Sequence, residues 1–145
     1  MKKLVVMFPG VGYTMDFPLL YYASFLFEAK GYEQIHMKYN GILFEPDLTR
    51  EEKTLKARKY MWEKVKDIDF SAYDEVVFLA KSFGTAEAGI LANKLGISPV
   101  QIFLTPVSRA LPYIKETDTV VMGTADEVYP ECKAYFDEHG IKPLY

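Results

Sequence analysis

Short apolar, β-branched runs alternate with longer helical patterns along these 145 residues. "KLVVMF" (Lys3–Phe8) is apolar on both alternating faces, as a strand buried on both sides of a sheet must be. After the turn "PGVGYT", Asp16 is placed to cap a helix with Pro18 in its first turn, running to Gly31. A second strand is predicted over 33–39. Thr49-Arg50-Glu51-Glu52 fits a capping box and opens a charged helix to about Lys66, with Leu55, Trp62 and Val65 as its inward stripe. "DEVVFLA" (74–80) is the third strand, followed by a helix over Phe83–Leu95 that Gly96 closes. Val100–Leu104, 118–123 and 141–145 are further strands, separated by short helices near 108–115 and 131–138.

Alternation of this kind predicts one α/β domain over residues 1–145, with three α/β/α layers around a mostly parallel six-stranded sheet. Its crossovers are expected to be right-handed. The first helix, "FPLLYYASFLFEAKG", is apolar on almost every side. Complete burial is one expectation for it, and a homodimer contact is the other.

Composition narrows the functional classes. The net charge of −3 argues against a nucleic-acid partner. Lys53, Lys56, Arg58 and Lys59 are interleaved with Glu51, Glu52 and Glu63, which reads as a solvated helix face. The one cysteine, Cys132, has no partner for an internal disulfide, and no metal-ligand spacing surrounds it. An inert thiol and a cytoplasmic location follow as expectations. The N-terminal apolar run stops at Pro9-Gly10, too soon for a signal peptide, and nothing approaches the ~20 apolar residues of a membrane span. No cofactor, metal or membrane partner is expected.

The chemistry concentrates in "VVFLAKSFGTAEAG", which runs a strand straight into a small-residue helix with Ser82 at the junction. Ala80-Lys81-Ser82-Phe83-Gly84 is a small-x-Ser-x-Gly pattern, and the turn it describes needs small residues where strand and helix backbones crowd. The competing assignment for Ser82 is a helix N-cap, and for Asp126 a turn-capping carboxylate. A nucleotide-binding alternative, with "GVGYT" as phosphate loop, lacks the third glycine of G-x-G-x-x-G, where Met15 stands.

On these residues the chain resembles a small, lidless member of the α/β-hydrolase family over nearly its whole length, without that fold's two leading strands. The resemblance implies that Ser82 is the nucleophile and Asp126, in "VVMGTADEVYP", the acid. "FPGVGYT" takes the place of the family's oxyanion loop, so the backbone N–H groups of Val11 and Phe83 would hold the oxyanion. The implied activity is hydrolysis of a small carboxylic ester, thioester or related acyl compound. Tyr13, Thr14, Thr105, Pro106 and Tyr129 follow strand ends and are candidate substrate walls, and Lys81 is a charge suited to acidic substrates.

The family's base is a histidine, and the chain has two, His36 and His139. His139 follows Asp126 in the family's chain order, but its helix runs back toward the amino ends of the strands. His36 sits within the second strand, facing one side of the sheet. The resemblance puts the base in a loop after the last strand, beyond Tyr145. A truncated hydrolase is therefore expected, and a catalytically incomplete binding or scaffold protein on the same fold is the alternative.

Overall fold

The computed structural model describes all 145 residues. Five strands, β1 (Lys3–Phe8), β2 (Tyr32–His36), β3 (Glu75–Lys81), β4 (Val100–Leu104) and β5 (Thr119–Val121), form one parallel sheet in the order β2-β1-β3-β4-β5. Helices α1 (Pro18–Ala29), α2 (Asn40–Leu43), α3 (Arg50–Val65), α4 (Phe83–Leu95) and α5 (Tyr129–His139) connect them, with 3₁₀ turns at Phe70–Ala72 and Ser108–Tyr113.

β1 and β3 are central, and their alternation splits the core in two. Leu4, Val6, Phe8, Phe78 and Ala80 face α3 and α4, against Ala57, Met61, Val65, Ala88 and Leu91. Val5, Met7, Val77 and Leu79 face the other way, toward Leu20 of α1. A third cluster joins Phe103, Val120 and Met122 to Cys132 and Phe136 of α5. One face of the sheet thus carries α1 and the other α3, α4 and α5. No helix is long and apolar enough to cross a membrane.

Four expectations change. The sixth strand reduces to a single bridge, Val121 to Leu144. Leu144 N–H donates to Val120 O and its carbonyl accepts from Met122 N–H, and no further residue of 141–145 pairs with β5. β2 stops at His36 instead of continuing through 39, because its partner β1 runs into Pro9. Asp16 does not cap α1; the N-cap is Phe17, with no side-chain hydrogen bond. The capping box at Thr49 and Glu52 forms as read. The inward stripe of α3, however, is Ala57, Met61 and Val65, spaced by four. Leu55 lies two residues from that stripe, roughly 200° around the helix, and is 56% exposed.

α1 is not completely buried either. Only Leu20 is enclosed, while Phe17, Leu19, Tyr21, Tyr22, Phe25 and Leu26 keep much of their surface in solvent. The helix lies over β1 and the edge strand β2, so a single stripe meets the sheet. The face on which the sequence placed a homodimer contact is accordingly open.

Candidate active site

Ser82 ends β3 and begins α4 with φ 50° and ψ −116°, a left-handed conformation that side chains other than glycine's avoid. Its N–H donates to Leu104 O at 3.0 Å, and its carbonyl accepts from Thr85 N at 2.9 Å and Thr85 Oγ1 at 2.5 Å. These bonds fix the backbone from both sides. The hydroxyl itself caps nothing: Ser82 occupies the N-cap position without a side-chain cap bond.

The surrounding small residues have steric causes. A Cβ on Gly84 would lie 2.3 Å from the Phe8 carbonyl oxygen, so α4 approaches β1 only because Gly84 has none. A Cβ on Gly10 would meet Ser82 Cβ at 3.1 Å and Lys81 O at 3.3 Å. The loop carrying Gly10 therefore lies directly against the serine. Its turn is closed by reciprocal backbone bonds between Gly10 and Tyr13 and held from behind. Tyr39 Oη donates to Pro9 O at 2.5 Å, and Asn40 Nδ2 donates to Gly10 O at 2.9 Å.

A cleft of about 430 Å³ opens at this point, lined by Ser82, Phe83, Val11, Leu43, Val107, Arg50, Lys53, Thr54 and Arg109. Val11 and Phe83 thus share one cavity with the serine. The Val11 N–H takes part in no backbone hydrogen bond, and the Phe83 N–H, first of α4, has no intrahelical acceptor.

A chain whose five parallel strands, crossovers and strained strand-to-helix serine fall in this arrangement can be compared with solved structures. No protein-family model matches the sequence, and no curated protein does. Solved structures match closely in fold. A candidate hydrolase of the alpha/beta superfamily from Xanthomonas campestris pv. campestris superposes with TM-score 0.75 at 12% identity, over 99% of this chain and 85% of that one. An alpha-beta serine hydrolase homologue from Coxiella burnetii gives 0.67 at 14% identity, over 99% and 72%. Est1E from Butyrivibrio proteoclasticus, solved with ferulic acid bound, gives 0.66 at 12% identity, over 98% and 78%. The chain has the α/β-hydrolase fold.

Within that fold, Asp126 follows β5, two strands from β3. Its Oδ1 accepts from Val128 N–H at 3.1 Å, the local turn that the sequence offered as its competing role, and Oδ2 is free of hydrogen bonds. Lys81 does not line the cleft. Its Nζ donates to Thr105 Oγ1 at 2.7 Å and lies 4.7 Å from the centre of the Tyr13 ring. Burial holds this ammonium below its ordinary pKa, and the Asp126 carboxylate partly restores it.

Neither histidine is brought to Ser82. His139 ends α5, stacked on Tyr135 and bonded through Nδ1 to Tyr135 O at 2.9 Å. The adjoining Gly140 packs near Glu116, which precedes β5, so this helix end lies at the amino edge of the sheet. His36 closes the edge strand, its Nε2 bonded to Gln34 Oε1 at 2.8 Å. Two strand spacings, roughly 10 Å, separate β2 from β3.

The substrate walls also move. Tyr13, Thr14, Thr105, Pro106 and Tyr129 do not line the Ser82 cleft. Tyr13 Oη accepts from Leu19 N–H, Thr105 holds Lys81, Pro106 is buried, and the Tyr129 ring packs edge-on against Tyr145. Leu43, Arg50, Lys53, Thr54, Val107 and Arg109 stand there instead. One signal in the sequence pointed to three of them. A crossover helix leaving a parallel strand starts at the carboxyl edge, where ligands bind, so the first turns of α3 face the cleft mouth.

Proposed function

We propose that this chain is the nucleophile-bearing core of a serine hydrolase acting on a small carboxylic ester, thioester or related acyl compound. The observation that carries this reading is the backbone of Ser82. A serine that only capped α4 would need neither a φ of 50° nor a hydroxyl left uncapped beside a cleft. Strain of this kind costs on the order of 1–3 kcal/mol and persists where function requires it.

In the proposed reaction Ser82 Oγ attacks the acyl carbonyl carbon while a base takes its proton. The N–H groups of Val11 and Phe83 donate to the oxygen as it becomes an oxyanion. Collapse expels the alcohol or thiol, which receives the proton from the base, and water then cleaves the acyl-serine by the same steps. Asp126, with Oδ2 free of hydrogen bonds, orients the base. The reading takes that base from a histidine outside these 145 residues, since His36 and His139 are held elsewhere. A cytoplasmic setting suits the single buried thiol.

The placement of those two histidines favours a second reading, a binding or scaffold protein on the hydrolase fold. Fluorophosphonate labelling of the protein as encoded through its stop codon, with the adduct mapped by peptide mass, separates the two. Catalysis predicts an adduct on Ser82 that Ser82→Ala abolishes. A folded protein that takes up no label removes the catalytic reading and leaves the second.

A further inference from the structure

The Ser82 cleft is cationic on a chain that is acidic overall. Arg50, Lys53 and Arg109 line it, no Asp or Glu does, and the chain's net charge is −3. A solvated helix face accounts for Lys56, which pairs with Glu45 at 2.7 Å, and for Lys66, which pairs with Glu63 at 2.9 Å. It does not account for the cleft cations. Arg50 and Lys53, three residues apart on one side of the first turn of α3, take part in no ion pair.

Arg109 approaches from the turn after β4, and its one partner is Glu87. That carboxylate, with its side chain fully buried in α4, is already engaged by Arg58 through Nε at 2.7 Å and Nη2 at 3.2 Å. Arg109 Nη1 stands farther off, at 3.7 Å from Glu87 Oε1. Glu87 thus holds Arg109 only loosely, its charge spent mainly on Arg58. Three cations face one small cavity with their charge largely uncompensated. Such an arrangement repels itself unless an anion joins it, and guanidinium forks match carboxylate and phosphate geometry.

We propose that the Ser82 cleft selects acyl compounds carrying an anionic group, carboxylate or phosphate, remote from the carbonyl. Arg50, Lys53 and Arg109 are its specificity-determining residues. The assignment of this anion as part of a substrate rests on the serine-hydrolase reading. Val11, Leu43, Phe83 and Val107 supply the apolar wall for the methylenes between the two groups.

Binding of uncleaved amide isosteres to the wild-type chain tests this without requiring turnover. The probes are N-methylpentanamide, 5-(methylamino)-5-oxopentanoate and the matching phosphonate, titrated by NMR. They differ only in a terminal methyl, carboxylate or phosphonate. Three half-exposed pairs at the modest worth of surface ion pairs give the anions an advantage of roughly tenfold at low ionic strength. That advantage shrinks in ~1 M salt, where the screening length falls to about 3 Å. It falls several-fold in Arg109→Gln and in Arg50→Gln/Lys53→Gln. The tighter of the two anionic probes identifies the group.

Equal or tighter binding of N-methylpentanamide, no binding by any probe, or an advantage that survives in Arg50→Gln/Lys53→Gln/Arg109→Gln overturns the proposal. Fluorophosphonate labelling of the same samples keeps the two readings apart. An adduct without anion preference leaves the hydrolase and removes this inference, whereas anion preference without an adduct keeps the anion site and removes its assignment to a substrate.

Discussion

Replacing Gly84 by alanine puts the steric logic of the elbow to a direct test. The new methyl carbon would lie 2.3 Å from Phe8 O, 2.7 Å from Phe8 C and 2.8 Å from Phe8 Cβ. Ordinary contact begins near 3.4 Å, so the first overlap is about 1.1 Å. Two of these three atoms are backbone, and β1 is hydrogen-bonded on both sides, to β2 and to β3. No rotamer change relieves the clash. Either the ladder distorts or the start of α4 lifts, taking Ser82 and the Phe83 N–H with it. Overpacking of a core costs typically ~1–3 kcal/mol, and a backbone obstacle belongs at the upper end. Alanine recovers about 1 kcal/mol of helix propensity over glycine, leaving a net loss of roughly 2 kcal/mol. For a domain of this size that lowers the melting temperature by about 6–8 °C. Thermal unfolding followed by circular dichroism measures it, with Gly41→Ala as control, because nothing lies within 4 Å of a Cβ there. A Gly84→Ala chain melting within about 2 °C of wild type would refute the claim that the elbow is set by helix-to-strand crowding.

Three further outcomes are expected. Ser82→Gly removes the proposed nucleophile but also relieves the left-handed backbone, so its urea midpoint should rise by an amount equivalent to about 1 kcal/mol; a lower midpoint would mean that the backbone there is unstrained. His36 is held below its ordinary pKa of 6.5 by burial and, less, by Lys38, so the unfolded chain binds its proton first. Its contribution to stability is full above 6.5 and is lost as pH falls from there through the folded value; His36→Gln should flatten that part of a stability-against-pH curve, and an unchanged slope would remove the assignment. Cys132 is buried, with its thiol pushed up to about 11 by desolvation, so iodoacetamide at neutral pH should alkylate the unfolded chain and spare the folded one.

The strands that were legible in the sequence are those whose limits are set by their own residues. β1 and β4 fall where the apolar runs begin and end, Lys3–Phe8 and Val100–Leu104. Where a boundary depends on a partner the sequence misleads. Met37 and Tyr39 are buried as a strand's residues would be, but they pack in a loop because β1 has already turned at Pro9. α2 was invisible for a related reason. At four residues it has no periodicity to read, yet the segment around it supplies Asn40 to hold the Gly10 loop and Leu43 to line the cleft.

The same distinction divides the site. The elbow is a local steric problem: Ala80, Ser82 and Gly84 must be small, strained and smaller still within five consecutive residues, so the pattern can be read directly. The charge of the cleft is assembled from α3 and from the turn after β4, elements that only the crossovers bring together. In the sequence Arg50 and Lys53 flank Glu51 and Glu52 and look neutralised. At about 100° per residue, Arg50 and Lys53 share one side of the helix, while Glu52 turns back to cap Thr49. Arg109 has no local motif at all, and only the turn after β4 brings it to the cleft. The proposed nucleophile is therefore legible in one short segment. The proposed selectivity is spread over two elements, so substitutions at Arg50, Lys53 or Arg109 are expected to redirect the cleft toward other acyl compounds while the elbow keeps its geometry.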